Sequence, residues 1–215
     1  MQIVAGDIGG TSARLALFDV AGATLQLLAR ATYPSQAYPD IEPILAEFLG
    51  ARPARPAAIA LGVAGPVRDG VCRTTNLPWR ISAEAIAMAT AVPNAWLLND
   101  LEAAAWGVEA VDAADRVVLQ AGEPNPRGNQ SVVAAGTGFG EAGRVWVDGG
   151  YLPFASEGGH ADFAPADALD FAFLRWLQAS HGHASWDRIV SGPGIVAIHA
   201  FLRAERGSVT PPALA

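Results

Sequence analysis

Two glycine-rich segments of the sequence each follow a short apolar run. Gly6-Asp7-Ile8-Gly9-Gly10-Thr11 follows Ile3-Val4-Ala5, and Gly136-Thr137-Gly138-Phe139-Gly140 follows residues 131–135. Closely spaced glycines let backbone N–H groups approach an anion, and a threonine hydroxyl adds a donor. Either segment alone also suits an ordinary hairpin turn, but the two together favour a clamp for nucleotide phosphates. Neither is a Walker A motif or a Rossmann fingerprint, because no Gly-Lys-Ser/Thr follows and no helix follows the first turn.

Carboxylates follow two of the apolar runs. Asp7 lies at a strand end, where it could orient Mg²⁺ through water, since this ion prefers oxygen ligands and keeps its own waters. Asn99-Asp100 follows Trp96-Leu97-Leu98, and a carboxylate there could accept the proton of an attacking hydroxyl in phosphoryl transfer. Asn and Asp are also good helix caps, and for this pair alone the capping role is favoured.

Two further segments carry polar groups beside glycines. In Glu157-Gly158-Gly159-His160 the central glycines oppose a helix, so the metal-binding Glu-x-x-His of helix bundles is disfavoured. We expect a loop that presents acceptor and donor groups to a polyhydroxylated ligand. Asp187 precedes a short predicted strand and the Gly192-Pro193-Gly194 turn. It suits either a surface ion pair with Arg188 or an acceptor for a buried sugar hydroxyl, which is costly to leave unpaired.

The three other histidines carry no predicted role. His181, His183 and His199 lie in polar or helical surroundings, where solvated surface positions are expected.

The elements that must position these groups alternate between strands and helices. Apolar periodicity predicts strands at 3–5, 13–20, 57–63, 95–98, 131–135, 143–147 and 151–154, and helices at 39–49, 82–90, 101–108, 168–180 and 195–206. This alternation indicates an α/β architecture, in which ligand sites gather at strand ends. The Gly-, Pro- and Asn-rich segment 121–130 is expected to be a mobile linker or loop.

Composition limits the classes of function. The chain has 215 residues, of which 51% are hydrophobic and 16% charged, so it can bury a substantial core. A formal net charge of −7 opposes nucleic-acid binding, and the single cysteine, Cys72, excludes a disulfide framework or a Cys-based zinc site. No signal peptide or membrane-length apolar run is present, so a cytoplasmic protein without nucleic-acid or membrane partners is expected.

Taken in order, these segments resemble the bacterial glucokinase family of the sugar-kinase, actin-like ATPase superfamily. The matching stretches are residues 6–17, Thr75-Asn76 with Trp79, residues 98–100, 136–140, 157–165 and 188–194. The Glu-Gly-Gly-His-x-Asp-Phe-Ala-Pro and Ser-Gly-Pro-Gly runs are specific, whereas the Asp-x-Gly-Gly-Thr turn is shared across the superfamily. The resemblance implies a two-domain ribonuclease H-like fold with a mixed sheet flanked by helices and an incomplete second domain. It places a small domain at 1–105 and part of a large domain at 106–215.

The resemblance also implies an activity, the ATP-dependent phosphorylation of D-glucose to glucose 6-phosphate at the entry to glycolysis. Asp100 would be the general base for the 6-hydroxyl, and Mg²⁺ would arrive with ATP rather than occupy a protein metal site. The implied sugar-binding residues are Asn76, Asn99, Asp100, Glu157, His160 and Asp187. The implied nucleotide-binding residues are Gly6, Asp7, Ile8, Gly9, Gly10, Thr11, Gly136, Thr137 and Gly138.

The chain departs from the family pattern in three respects. Ser12 and Asp187 stand where the family commonly has Asn and Glu, and the shorter carboxylate is expected to weaken sugar binding. Family members are also longer, and the additional portion supplies the adenosine loop. We therefore expect a truncated glucokinase whose exposed apolar surface leads to aggregation or poor stability.

Alternatives remain open at this point. A kinase of another hexose in the repressor, open-reading-frame and kinase family is one, although the single cysteine does not suit the zinc site that many of those carry. A non-catalytic sugar-binding fragment is another. The sequence leaves a homodimer open.

Overall fold

The computed structural model describes residues 1–22, 24–51, 55–74, 77–123 and 125–207. Contacts divide the chain into two units, Met1–Glu123 and Pro124–Ala215. This division lies later in the chain than the predicted domain boundary at 105/106, which falls within the helix Asp100–Gly107. The boundary between the domains of the whole protein stays a prediction.

The first unit contains eight strands and three α-helices among its described residues. They are β1 (Gln2–Ile8), β2 (Ser12–Ala21), β3 (Thr24–Pro34), α1 (Ile41–Gly50), β4 (Ala58–Val63), β5 (Val67–Arg68), β6 (Val71–Arg73), β7 (Arg80–Ser82), α2 (Ala83–Thr90), β8 (Asn94–Asn99) and α3 (Asp100–Gly107). Five strands form a mixed sheet in the order β3-β2-β1-β4-β8. The first glycine segment joins the antiparallel pair β1 and β2, so the predicted hairpin is confirmed.

The parallel strands of this sheet bring three chain segments to one edge. β1 pairs in parallel with β4, and β4 pairs in parallel with β8. Their last residues are in register, with Ile8 opposite Val63 and Val63 opposite Asn99. The residues that follow each strand therefore emerge at the same edge, where open α/β sheets place ligands.

The core of the first unit lies under one face of the sheet. Alternate residues of β1, β2 and β4 point to this face, as period-2 strands require. α1 packs Ile41, Ile44, Leu45 and Phe48 there, and none of these side chains is accessible to solvent. Ser82 caps α2 by accepting the Ala85 N–H at 3.4 Å, the usual role of a serine directly before a helix.

Two parts of the first unit were not predicted. β3 has a mostly exposed first half, including Leu25, Leu27 and Leu28, so it lacks the alternation that identifies a strand. The small sheet β5-β6-β7 consists of strands of two and three residues, which are too short to show a period. Its turn does carry a sequence signal, because Asp69 and Gly70 both have positive φ, the geometry that Asp-Gly hairpin turns adopt.

The second unit contains three strands and two α-helices among its described residues. They are β9 (Gln130–Ala135), β10 (Phe139–Val147), β11 (Gly150–Ser156), α4 (Ala168–His181) and α5 (Gly192–Arg206). The antiparallel sheet has the order β11-β10-β9, and the strands predicted at 143–147 and 151–154 form a hairpin that turns at Asp148-Gly149. Phe163, Phe173, Leu177 and Phe201 form its buried helical core.

α5 begins earlier than predicted. Ser191 accepts the Gly194 N–H at 3.1 Å, so the Gly192-Pro193-Gly194 segment is the first turn of the helix. Proline is tolerated there because the first helical N–H groups have no partner within the helix. The short strand predicted after Asp187 is wrong, since Ile189 and Val190 form a turn directly before this cap.

No helix within the described residues is long and apolar enough to cross a membrane.

Replacing Phe48 tests the core of the first unit. Phe48→Ala removes a completely buried ring from α1 and should lower the free energy of unfolding by about 3–5 kcal/mol in urea titrations. Met88→Ala in α2 is the control, because Met88 is 72% exposed and should change stability by about 0.5 kcal/mol at most. Equal effects of the two substitutions would contradict this packing.

Candidate active site

The first glycine turn is held by a serine from outside the turn. The Gly9 N–H donates to the Ser12 carbonyl at 3.0 Å. Ser35, which has no solvent exposure, donates its hydroxyl to the Gly9 carbonyl at 2.8 Å and its N–H to the Thr11 carbonyl at 3.0 Å. Within the described chain the Gly10 and Thr11 amides have no acceptor. The turn is thus fixed through its carbonyls while two N–H donors remain available to an anion.

The residues just before this turn have different surroundings. Gly6 and Ile8 face the core, and a Cβ on Gly6 would lie 2.5 Å from Leu61 Cδ2, so a larger residue at this point of β1 would require the Leu61 side chain to shift. Asp7 faces the opposite side, where its Oδ2 accepts a hydrogen bond from Arg14 at 3.0 Å. Both side chains of this pair are at least 60% exposed. Asp7 is therefore the one acidic group that β1 presents beside the turn.

Asn99 and Asp100 occupy the carboxyl end of β8 and the start of α3. Asn99 is buried, and its Oδ1 accepts the N–H groups of Leu101 at 3.0 Å and Glu102 at 3.3 Å. Its Nδ2 donates to the Gly65 carbonyl at 3.2 Å. The capping role considered for this residue is thus present, and the same side chain ties the start of α3 to the segment after β4. These contacts fix Asp100, the next residue.

Asp100 is a partly buried carboxylate with a perturbed pKa. Burial raises the pKa of Asp100, and the negative charge of Asp7 raises it further, while the Leu101 N–H, which donates to Oδ1 at 2.9 Å, acts in the opposite direction. A carboxyl group whose pKa is raised is a better proton acceptor once ionised. Cys72 lies fully buried nearby, and burial and the Asp100 charge raise the pKa of its thiol.

The second glycine turn joins β9 to β10. The Gly136 N–H donates to the Gly138 carbonyl at 2.8 Å, and the Gly192 N–H at the start of α5 donates to the Gly136 carbonyl at 2.8 Å. The Thr137 and Gly138 amides have no acceptor among the described residues. This turn therefore repeats the arrangement of the first, with anchored carbonyls and free N–H groups.

Asp187 contacts the second turn directly. It lies in a 3₁₀ turn (Trp186–Arg188), and its Oδ1 accepts the Phe139 N–H at 2.7 Å. A Cβ on Gly138 would lie 2.6 Å from the same oxygen, so the carboxylate packs against the Gly138 backbone. The surface pair with Arg188 that the sequence left open is not among the ion pairs of the described residues. Neither the turn nor Asp187 signals this contact locally, because 48 positions separate them.

Glu157 directly precedes a short 3₁₀ turn (Gly158–His160) that ends at His160, so the predicted loop geometry is confirmed. His160 Nε2 lies 3.8 Å from Glu157 Oε2, and both side chains are more than 60% exposed. Their polar atoms are therefore free to face a ligand. The described residues contain no cluster of three or more metal-binding side chains.

The Glu157–His160 loop is packed against the second glycine turn within the same unit. A Cβ on Gly159 would lie 1.9 Å from the Phe139 carbonyl oxygen, so the two backbones are in direct contact. The segment before Asp187 is hydrogen-bonded to the residues that follow the same loop. The Trp186 N–H donates to the Ala161 carbonyl at 3.2 Å, and the Phe163 N–H donates to the Ala184 carbonyl at 2.9 Å. The sequence had separated these groups into three motifs, and the structure joins them into one cluster.

One histidine–carboxylate pair was not predicted from the sequence, and one predicted residue is not among those the structure describes. His183 is exposed, as expected, but its Nε2 lies 2.6 Å from Asp162 Oδ1. Asn76, a predicted sugar-binding residue, is outside the described residues.

The residues present fit a magnesium nucleotide. Free N–H groups at glycine turns suit phosphate oxygens. Mg²⁺ is usually held by one or two carboxylates together with waters and substrate phosphates, so Asp7 beside the first turn is a suitable partner without a larger ligand cluster.

Comparisons with known proteins agree with this architecture. The sequence matches the glucokinase family over residues 4–214. A glucokinase from Nostoc sp. is 36% identical over 99% of the chain, and the chain spans 64% of that relative's length. The crystal structure of a glucokinase from an Antarctic psychrotroph is 31% identical and superposes with a TM-score of 0.83 over 98% of this chain and 66% of that one.

A third structure extends the fold comparison. A ROK family glucokinase from Streptomyces griseus, solved with glucose and AMPPNP, is 20% identical with a TM-score of 0.59 and covers 96% of this chain and 62% of that one. The fold is therefore that of the actin-like ATPase kinases, α/β with a mixed sheet flanked by helices. Within that class, the chain belongs to the glucokinase family.

Neutralising Asp100 should stabilise the folded chain. Because folding raises the pKa of Asp100, its ionised form is less favourable in the folded state. The resulting loss of unfolding free energy grows as pH rises through the folded pKa. Asp100→Asn should therefore raise the melting temperature near neutral pH, and the gain should vanish below the ordinary Asp pKa of about 3.9. Differential scanning calorimetry across pH measures this. The control is the exposed Asp115→Asn, and a lower melting temperature for Asp100→Asn at neutral pH would contradict the argument.

The contact between the loop and the turn predicts a strict requirement at Gly159. Gly159→Ala would force its Cβ onto the Phe139 carbonyl and should cost about 1–3 kcal/mol of unfolding free energy. Gly150→Ala serves as the control, since a Cβ there meets nothing within 4 Å. Urea denaturation compares the two variants, and equal stability would show that the loop does not pack in this way.

Proposed function

We propose that the protein transfers the γ-phosphoryl group of ATP to the 6-hydroxyl of D-glucose. The observation that carries this proposal is Asp100, a partly buried carboxylate of raised pKa held at the carboxyl edge of β1, β4 and β8. Its neighbour Asn99 fixes it through three hydrogen bonds. The family membership and the relatives named glucokinase support the same activity.

Asp100 is proposed to be the general base. It accepts the proton of the 6-hydroxyl as that oxygen bonds to the γ-phosphorus, while the bond from the γ-phosphorus to the β–γ bridging oxygen breaks and ADP leaves. In a loose phosphoryl-transfer transition state most of the catalytic effect comes from positioning and charge stabilisation. A base with a fixed position and a raised pKa suits this requirement better than a mobile surface carboxylate.

The sugar is proposed to bind through acceptor and donor side chains. Glu157 and His160 accept and donate to its hydroxyls, and their exposed polar atoms support this. Asp187 has one oxygen engaged with Phe139, and its Oδ2 is proposed to accept a sugar hydroxyl. Asn99 and Asn76 complete the proposed set. Since the amide of Asn99 already has backbone partners, its larger contribution is to orient Asp100.

The nucleotide is proposed to bind through the two glycine turns. The free N–H groups of Gly10 and Thr11, and those of Thr137 and Gly138, donate to phosphate oxygens. Asp7 would hold Mg²⁺ through water, and this ion supplies charge neutralisation for the phosphates when it is bound. Gly6, Ile8, Gly9 and Gly136 shape the turns that present these donors.

We also propose that the activity serves the entry of glucose into glycolysis in the cytoplasm. Binding of nucleic acid or membrane is not expected for a chain of this charge and hydropathy. A homodimer stays a prediction.

A coupled assay with glucose and MgATP tests the function. The protein should form glucose 6-phosphate, and Asp100→Asn should lower kcat by about 10²- to 10⁴-fold, the usual contribution of a general base. The glucose dissociation constant, measured by calorimetry, should change far less than kcat. Glu102→Gln on the same helix is the matched control and should retain activity.

Other outcomes of this assay point elsewhere. Glucose binding without turnover would indicate a non-catalytic sugar-binding protein, and turnover with a different hexose would move the assignment to another sugar kinase. Wild-type kcat in the Asp100→Asn variant would remove Asp100 from the role of base.

A further inference from the structure

The contact between Asp187 and the second glycine turn is the strongest feature that the proposed reaction does not require. A sugar-binding carboxylate needs no bond to a backbone amide of the phosphate turn. Here Asp187 Oδ1 accepts the Phe139 N–H at 2.7 Å and lies against the Gly138 backbone. The oxygen is thus committed to the residue that follows the turn, and only Oδ2 remains without a hydrogen bond among the described residues.

This bond completes the anchoring of the turn. The Gly136 carbonyl accepts from Gly192 and the Gly138 carbonyl accepts from Gly136, both at 2.8 Å. Asp187 adds a side-chain anchor, which accepts the Phe139 N–H directly beyond the two free amides of Thr137 and Gly138. Without it, the Phe139 N–H at the start of β10 would lose its acceptor, and the end of the turn would be held less firmly.

Asp187 is itself held in place by backbone bonds. The Trp186 N–H donates to the Ala161 carbonyl at 3.2 Å, and the Arg188 N–H donates to the Ser185 carbonyl at 3.1 Å. A pre-organised acceptor can fix a turn at low entropic cost, whereas a mobile one cannot. The 3₁₀ turn that carries Asp187 provides this rigidity.

We propose that Asp187 is a positioning residue that holds the Gly136–Gly138 turn in its phosphate-binding shape and thereby sets the affinity for ATP. The inference rests on the proposed function, because it assigns the turn to the nucleotide. What the turn needs from Asp187 is a hydrogen-bond acceptor rather than a charge. A negative charge close to bound phosphates is unfavourable, so a neutral acceptor of the same shape serves the turn equally well or better.

Two substitutions of Asp187 distinguish the effect of its hydrogen-bond acceptor from the effect of its negative charge. Asp187→Ala removes the acceptor and should raise the KM for ATP by up to about tenfold, the effect of losing one hydrogen bond. Asp187→Asn keeps an acceptor oxygen and should restore the KM for ATP to the wild-type value or below. A residue that served the sugar alone would change the KM for glucose in both variants and leave the KM for ATP unaltered.

The matched control is Asp167→Ala. Asp167 also accepts one backbone N–H, from Asp170 at 2.9 Å, but it caps α4 away from the turn. It should lower stability without changing the KM for ATP. A purely structural role of Asp187 would give the same pattern as this control.

Amide exchange measured by NMR gives a readout that does not depend on activity. The Phe139 amide should exchange about tenfold faster in Asp187→Ala than in the wild type, and Asp187→Asn should restore its protection. Equal exchange in all three proteins, or an Asn variant as impaired as Ala, overturns the proposal. If the wild type shows no kinase activity, the proposed function fails, while the exchange rates still decide whether Asp187 holds the turn.

Discussion

A glycine turn can bind an anion only if some of its N–H groups have no partner while other bonds hold its shape. Both glycine turns of this chain meet that constraint in the same way. Their carbonyls accept hydrogen bonds, and side chains far away in sequence complete the anchoring. Ser35 reaches Gly9 across 26 positions, and Asp187 reaches Phe139 across 48. The fold of each unit brings these remote side chains into contact with the turns.

Asp100, the proposed general base, shows the cost of a partly buried carboxylate. Its burial and the nearby charge of Asp7 both disfavour the ionised carboxylate, and the Leu101 N–H offsets only part of this. The fold tolerates the group because Asn99 satisfies the start of α3 and binds the Gly65 carbonyl. The hydrogen bonds of Asn99 thus stabilise this region while Asp100 keeps a raised pKa, which suits its proposed role as a base.

Much of the fold could be predicted from the sequence, because its main elements carry local signals. The hairpin of β1 and β2, the helices α2 and α4, and the β10–β11 hairpin follow from periodicity and turn residues. β3 and the small β5-β6-β7 sheet were missed because an exposed edge and strands of two or three residues have no clear period. α5 was placed too late because its Gly-Pro-Gly first turn resembles a loop.

The sequence by itself determined the identities and order of the chemical groups: two glycine turns, the Asn99-Asp100 pair, and the Glu157–His160 loop. These signals are local, since each depends on neighbouring residues and their backbone preferences. Only the tertiary structure decided which distant residues hold these groups in place. Ser35 beneath the first turn, the Phe139 bond of Asp187 and the contact of Gly159 with β10 link residues that are distant in the chain. Such contacts depend on strand register and backbone proximity, which no single segment encodes.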